Sequence, residues 1–489
     1  MVAMRIGGLA SGFDTEQIVN QLMEVERLPL DRIYQQKVRT EWQRDQYRAL
    51  MTKITSFRDL VFNMQLQSTY LVRQVSSSDE SAVKAQVVGN APYGSYEIKV
   101  SKLATAATKI SAGGVSERLA DFSGGTVYLR AHAEAEEYVA VDIEPGEDID
   151  SIVQKINQNK ELGITVFYDE ATDSLAFRSN ATGANARVDF RADDPETQSF
   201  VNDVLLGGGT WVEDVMGGNA EFEINGLATY RESNSFTFSG LAISLQSESD
   251  KTVRLEVVQD TDQIVDSIKT MVEKYNELIA EIQGKLTEPY YRDYPPLTEA
   301  QKKDMDEQEI ELWEEKAKSG LLRSDRMLTN LVSDLRQAMG SVVNGVDGMN
   351  SLRKIGITTG AWFEYGKLHL DETKLRNAVE SNPDQVMALF TNNGDTEQTR
   401  GIARRLDSIM TTGLDRLDKT AGKSTTLYDK SKLSEKIRSY ERQIEAMEER
   451  LTQLENRYWM QFVAMERALQ QMYAQSDWLH QQLAAMSNG

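Results

Sequence analysis

Apolar residues recur with two different periods along this chain, helical toward both ends and alternating in the middle. From Tyr47 they run Tyr47, Leu50, Ile54, Phe57, Val61, Met64, and spacings that alternate three and four trace a heptad seam on one helix face. Upstream, Ile18, Leu22 and Val25 start a similar face. Pro29 has no amide hydrogen to donate, so the pattern predicts a short first helix that breaks or bends there. Near the other end one seam reads Ile437, Ile444, Leu451, Tyr458, Met465, Met472, Leu479, and its companion reads Leu433, Tyr440, Met447, Leu454, Gln461, Ala468, Gln475. All of these but the two glutamines are apolar or aromatic, and no glycine or proline interrupts them, which predicts a rod of about 70 Å. The N-terminal seam is its natural partner within the chain, so that Ile54 would face Ile444; a neighbouring subunit is the alternative. Past Gln461 the seam weakens into a methionine-rich face (Met460, Met465, Met472, Met486), and that stretch is expected to need another subunit.

Between the ends the period changes to two. Short β-rich runs such as "AVKAQVV", "GSYEIKV", "GTVYLRA" and "GITVFYD" are bounded by Gly, Asn and Asp. One interruption, "DIDSIVQKINQN" from Asp148, carries the helical spacing Ile149, Ile152, Ile156. A glycine-rich break precedes a second strand set that includes "AEFEINGLATY" and "TVRLEVV". The reading is two β-rich modules, one inserted in the other. Helical pattern resumes near Asp262, and the acidic run "KKDMDEQEIELWEEKAKSG" reads as a solvated helix face.

Composition then removes whole classes of function. At 489 residues the chain is too long for one core, and about three or four domains are expected. The 76 acidic against 54 basic side chains give a net charge of −22, which repels a phosphate backbone, so nucleic acid is not expected as a partner. No apolar run is long enough for a membrane span, and no charged leader followed by an apolar block is visible; if the protein is exported, another route is expected. With no cysteine there are no disulfides, thiol nucleophiles or thiolate metal sites.

"GGLASGFDTEQ", residues 7–17, has the glycine spacing of a phosphate loop, but Phe13 and Asp14 stand where Lys and Ser or Thr are required. Asp14 is instead an N-cap, with Gln17 completing a capping-box-like start. His132, His369 and His480 lie in three separate regions, with no H-E-x-x-H and no G-x-S-x-G elbow. The acidic residues offer many carboxylate pairs for a glycosidase, yet nothing marks one pair out. No enzyme activity and no cofactor are expected.

The opening "IGGLASGFDTEQIVNQLMEVERLPLDRI", the block "NGLATYRESNSFTFSGLAISL", the helix "VEKYNELI" and "GITTGAWFEYGKLHLDETKLRNAVESNPDQVMALF", in that order, resemble the flagellar filament-cap family, also called hook-associated protein 2. The segment from Gly125 to Asn159 also resembles the β-rich insert shared with flagellins. The resemblance implies an α+β multidomain chain with helical, coiled-coil terminal legs and two β-rich head modules, one inserted in the other. Its expected parts are a flexible N-terminal segment 1–45, a leg helix 46–75, a first head module 76–110 with 217–260, an inserted module 111–216, a mainly helical leg domain 261–432 with a β-hairpin near 355–371, and a C-terminal coiled coil 433–489.

It further implies a homo-oligomeric ring at the distal tip of the filament, outside the cell, that retains exported flagellin and promotes its folding and insertion. Flagellin, the hook-filament junction proteins and a dedicated export chaperone at the C-terminus are the implied partners, and the head surface could carry a host mucin or glycan. On this reading Gly7, Gly8 and Gly12 are a flexible joint, and Leu9, Phe13, Ile18, Leu22, Val25, Tyr458, Met465, Met472 and Trp478 dock in the assembled tip. Tyr47, Leu50, Ile54, Phe57, Val61 and Met64 with Ile437, Ile444 and Leu451 hold the legs together. A surface adhesin or a hook-filament junction protein shares helical ends and β modules and is the alternative; a secreted glycan-acting enzyme ranks below it.

Overall fold

The computed structural model describes residues 14–135, 137–426 and 428–487. Two compact units are present, a helical one (Met1–Tyr70 with Thr261–Gly489) and a β-rich one (Leu71–Asp260). The α+β multidomain class, with helical terminal regions and β modules between them, is what the periodicities lead one to expect.

The helical unit begins with a 49-residue helix, Thr15–Asn63, whose N-cap Asp14 accepts a hydrogen bond from the Gln17 amide at 2.9 Å. The break expected at Pro29 does not occur, and the helix runs through it. Pro29 is exposed and Val25, whose carbonyl it leaves without a partner, is 65% exposed, so water can solvate the freed carbonyl. Val19 and Met23 before the proline and Leu30 after it all pack on one partner helix, which holds the two halves in line.

The seam Tyr47–Met64 is buried throughout, together with the apolar faces of Thr261–Thr287, Arg326–Gly340 and Ile402–Ala421. Phe57 tilts against Tyr275 with ring centroids 6.2 Å apart, and the Tyr47 hydroxyl donates to Asp325 Oδ2 at 2.7 Å. Residues 357–359 and 368–370 form a small antiparallel hairpin in the same unit. The acidic run forms a helix, Glu307–Lys318, opened by a capping box between Asp306 and Glu309.

In the β-rich unit the chain enters through β1 (Arg73–Ser77), β2 (Val83–Val87) and β3 (Gly94–Lys102). It then leaves for β4 (Ala106–Ile110), β5 (Gly125–His132), β6 (Val139–Ile143), β7 (Ile164–Asp169), β8 (Ser174–Thr182), β9 (Ala186–Phe190) and β10 (Glu213–Val215). It returns with β11 (Ala220–Ile224), β12 (Leu227–Arg231), β13 (Ser235–Phe238), β14 (Leu241–Leu245) and β15 (Val253–Gln259). The outer module faces a sheet ordered β1-β15-β3-β11-β12 with another ordered β13-β14-β2. Ala220, Phe222 and Ile224 of β11, Leu241, Ile243 and Leu245 of β14, and Val253, Leu255 and Val257 of β15 fill the core between them, as strict alternation requires. Asn225 and Gly226, both at positive φ, make the tight β11–β12 turn.

The inserted module has its own core and two sheets, β10-β4-β8-β7 and β6-β5-β9. The helix foreseen at Ile149–Gln158 is present, capped by Asp148, and Ile152 and Ile156 are buried. The expected border at residue 110 is corrected, because β4 pairs with β8 and β10 inside the inserted module. The chain crosses between modules at Thr105 and Gly218, whose backbones bridge each other at 2.8 and 3.1 Å. A Cβ on the neighbouring Gly217 would lie 2.3 Å from the Gly183 carbonyl, so only glycine fits this neck.

The expected contact of Ile54 with Ile444 is absent. Ile444 lines a groove with Leu30 and Tyr34, and Tyr34 is 20 residues from Ile54 along one helix, about 30 Å. Ile54→Ala should therefore destabilise the helical unit by about 2–5 kcal/mol, and combining it with Ile444→Ala should give the sum of the single effects within about 0.5 kcal/mol in denaturant titrations. A larger coupling would mean that the two residues touch.

Candidate functional site: an assembly surface on the terminal helices

The C-terminal helix, Lys432–Ser487, is 56 residues long and lies antiparallel to the N-terminal one. The direction follows from three contacts: Tyr458 hydroxyl to Glu26 Oε1 at 3.3 Å, Lys37 to Glu441 at 3.5 Å, and Arg48 to Asp429 at 2.8 Å. The last contact is a clamp. Arg48 also donates from Nε to the carbonyls of Ala421 and Gly422 at 3.1 and 3.2 Å, which ties the end of Ile402–Ala421 to the start of the C-terminal helix. Asp429 in turn accepts from the Ser431 amide at 2.8 Å and from the Ser434 hydroxyl. Burial acts to raise its carboxyl pKa, but the hydrogen bonds from Ser434 and Ser431 and the charge of Arg48 outweigh it and hold it below the ordinary value.

Beyond the clamp, Val19, Met23 and Leu451 are buried among Leu30, Met447, Leu454, Tyr458, Trp459 and Phe462. Val19 and Met23 were not singled out by the sequence reading. Their four-residue spacing, continued seven residues on by Leu30, was the available signal, overlaid by the equally regular Ile18, Leu22 and Val25. The helix is apolar on two sides, and the structure uses one. Ile18 is half-buried, while Leu22 and Val25 are 39% and 65% exposed, and Leu28 joins them at 51%.

On the C-terminal helix Tyr458 is half-buried in the pair, whereas Met465, Met472 and Trp478 are exposed. Tyr473, Leu479 and Leu483 are exposed beside them. Of the residues assigned to the coiled-coil seam, Tyr47 to Met64 lie in the helical core, Ile437 is buried, Ile444 lines the groove and Leu451 packs on Met23. Gly7, Gly8, Leu9, Gly12 and Phe13 lie outside the described residues.

His132 accepts at Nδ1 from the Glu134 amide at 3.2 Å, His369 pairs with Glu364 at 3.0 Å, and His480 is on the exposed end of the C-terminal helix. Among the described residues no group of His, Asp and Glu is arranged to hold a metal ion, and no helix is long and apolar enough to cross a membrane.

A family model described as flagellar hook-associated protein 2 N-terminus matches residues 11–107, and one described as its C-terminus matches residues 217–474. The matches stop and resume close to the borders of the inserted module. The flagellar hook-associated protein 2 of Halalkalibacterium halodurans is 32% identical, covering 96% of this chain and 98% of its own length. That of Thermotoga maritima is 26% identical, covering 99% and 96%. The D1-D2-D3 domains of the flagellar cap protein from Escherichia coli share the fold with a TM-score of 0.54 at 22% identity, over 81% of this chain and 99% of that one.

The depressed Asp429 carboxyl contributes stability above its unfolded pKa of about 3.8, and this is lost as pH falls through the lower folded value. Asp429→Asn should cost about 1–3 kcal/mol at pH 7, and thermal melts should show the gap to the parent protein narrowing below about pH 4. A gap independent of pH would remove the ionised clamp from the account.

Proposed function

Because this chain belongs to the flagellar hook-associated protein 2 family, we propose that it works as a non-catalytic subunit of a ring at the distal tip of the flagellar filament, outside the cell. There it retains exported flagellin and promotes its folding and insertion. The family is a structural one, and a flagellar cap role agrees with the whole-length similarity. The observation that carries the reading is the exposed apolar run on the C-terminal helix, Met465, Met472, Trp478, Leu479 and Leu483. Met465, Met472, Leu479 and Leu483 recur at spacings of seven and four on one face of the helix; exposed apolar surface marks an interaction site, and an isolated helix end gains stability when a partner covers it.

The terminal segments 1–45 and 433–489 are the docking parts, with Leu9, Phe13, Ile18, Leu22 and Val25 on one side and Tyr458, Met465, Met472 and Trp478 on the other. Gly7, Gly8 and Gly12 give the first segment its joint. The ring itself, flagellin and the hook-filament junction proteins are the partners of this surface. Before export a dedicated chaperone covers the same C-terminal face. A host mucin or glycan on the β-rich modules would add adhesion without changing this role.

Cells lacking the protein should release flagellin monomer into the medium and fail to swim, and added purified protein should restore filaments. Normal filaments in the deletion strain would contradict the proposal. Truncation after Leu454 should abolish the chaperone complex in copurification while the β-rich unit keeps its melting transition; retained copurification would place the chaperone site elsewhere.

A further inference from the structure

The terminal pair carries both a projection and a recess on opposite sides. The groove, about 430 Å³, is lined by the apolar Met23, Leu30, Ile444 and Leu451, by four carboxylates, Asp31, Glu299, Glu448 and Glu455, and by one cation, Arg27. At about 100° per residue, Val25 and Leu28 lie roughly opposite Met23, Leu30 and Tyr34 on the same turns of one helix. Both are exposed, at 65% and 51%, and Arg32, one turn beyond Leu28, is also exposed. The projecting face is thus apolar with the cation Arg32, and the recess is apolar with carboxylates in excess of its single Arg27.

We propose that the groove is filled by the Val25–Leu28 face of a second copy of this chain, with Arg32 of that copy set against Glu448. Charge complementarity favours this occupant. The opposite placement makes the contact head-to-tail: every copy offers a projection to one neighbour and a recess to the other, and such contacts close into a ring or continue indefinitely. The inference rests on the ring reading and adds the surface by which neighbouring terminal pairs meet.

The chain has no cysteine, which makes cross-linking specific. Leu28→Cys and Ala300→Cys, the latter on the groove lining, would be purified separately, checked for parent-like circular dichroism, mixed under oxidising conditions and resolved on a non-reducing gel. A covalent dimer that appears only in the mixture is the expected result. Self-association by light scattering without a mixed dimer would overturn the groove assignment and leave the ring reading intact, whereas no self-association at any concentration would overturn both. Dimers from Leu28→Cys alone would show like faces meeting and would overturn the head-to-tail contact. Arg32→Glu should weaken self-association about tenfold and Glu448→Lys added to it should restore the parent affinity; absence of that rescue would separate the two charges and overturn their pairing.

Discussion

Everything in the helical unit depends on how the apolar faces of one helix, Thr15–Asn63, are covered. Its second half is enclosed: Leu50, Ile54 and Val61 have essentially no exposed surface, and three other helices supply the walls. Its first half has one dominant partner, the C-terminal helix, and buries only Val19 and Met23 among its large apolar side chains. Burial of a large aliphatic side chain is worth about 1.5–3 kcal/mol, so the enclosed half has far more to hold it than the open half. One continuous helix therefore passes from a self-sufficient core into a region that buries little apolar surface of its own.

The Arg48–Asp429 clamp marks that transition. It sits where the loop after Ile402–Ala421 delivers the chain to the C-terminal helix, and it fixes where the antiparallel pairing starts. From there the two helices run antiparallel, and Met472, Tyr473 and Trp478 of the C-terminal helix are exposed.

Much of this was legible in the amino-acid sequence. A seam buried on every side, Tyr47 to Met64, leaves an unambiguous heptad, and strands that line a two-sheet core leave strict alternation, as in β11 and β15. The pairing was not legible, because a heptad says that a face is buried and not by what; the seam's partners proved to be Thr261–Thr287, Arg326–Gly340 and Ile402–Ala421 in place of Ile444. Where a helix is apolar on two sides the pattern cannot rank them, so Val19 and Met23 were passed over for Ile18 and Leu22. Pro29 misled for a related reason: the missing bond is a local cost, and packing on both sides of it is not local. The module border at Thr105 depended on which sheet β4 joins, a long-range pairing that no local pattern encodes.

Amide hydrogen exchange of free protein against protein bound at filament tips tests the division most directly. Residues 47–64 should be strongly protected in both states, while residues 465–483 should exchange rapidly in the free chain and become protected on assembly. Equal protection of 465–483 in the two states would show that the terminal helix is complete by itself, and the account of a helix finished by its neighbours would be wrong.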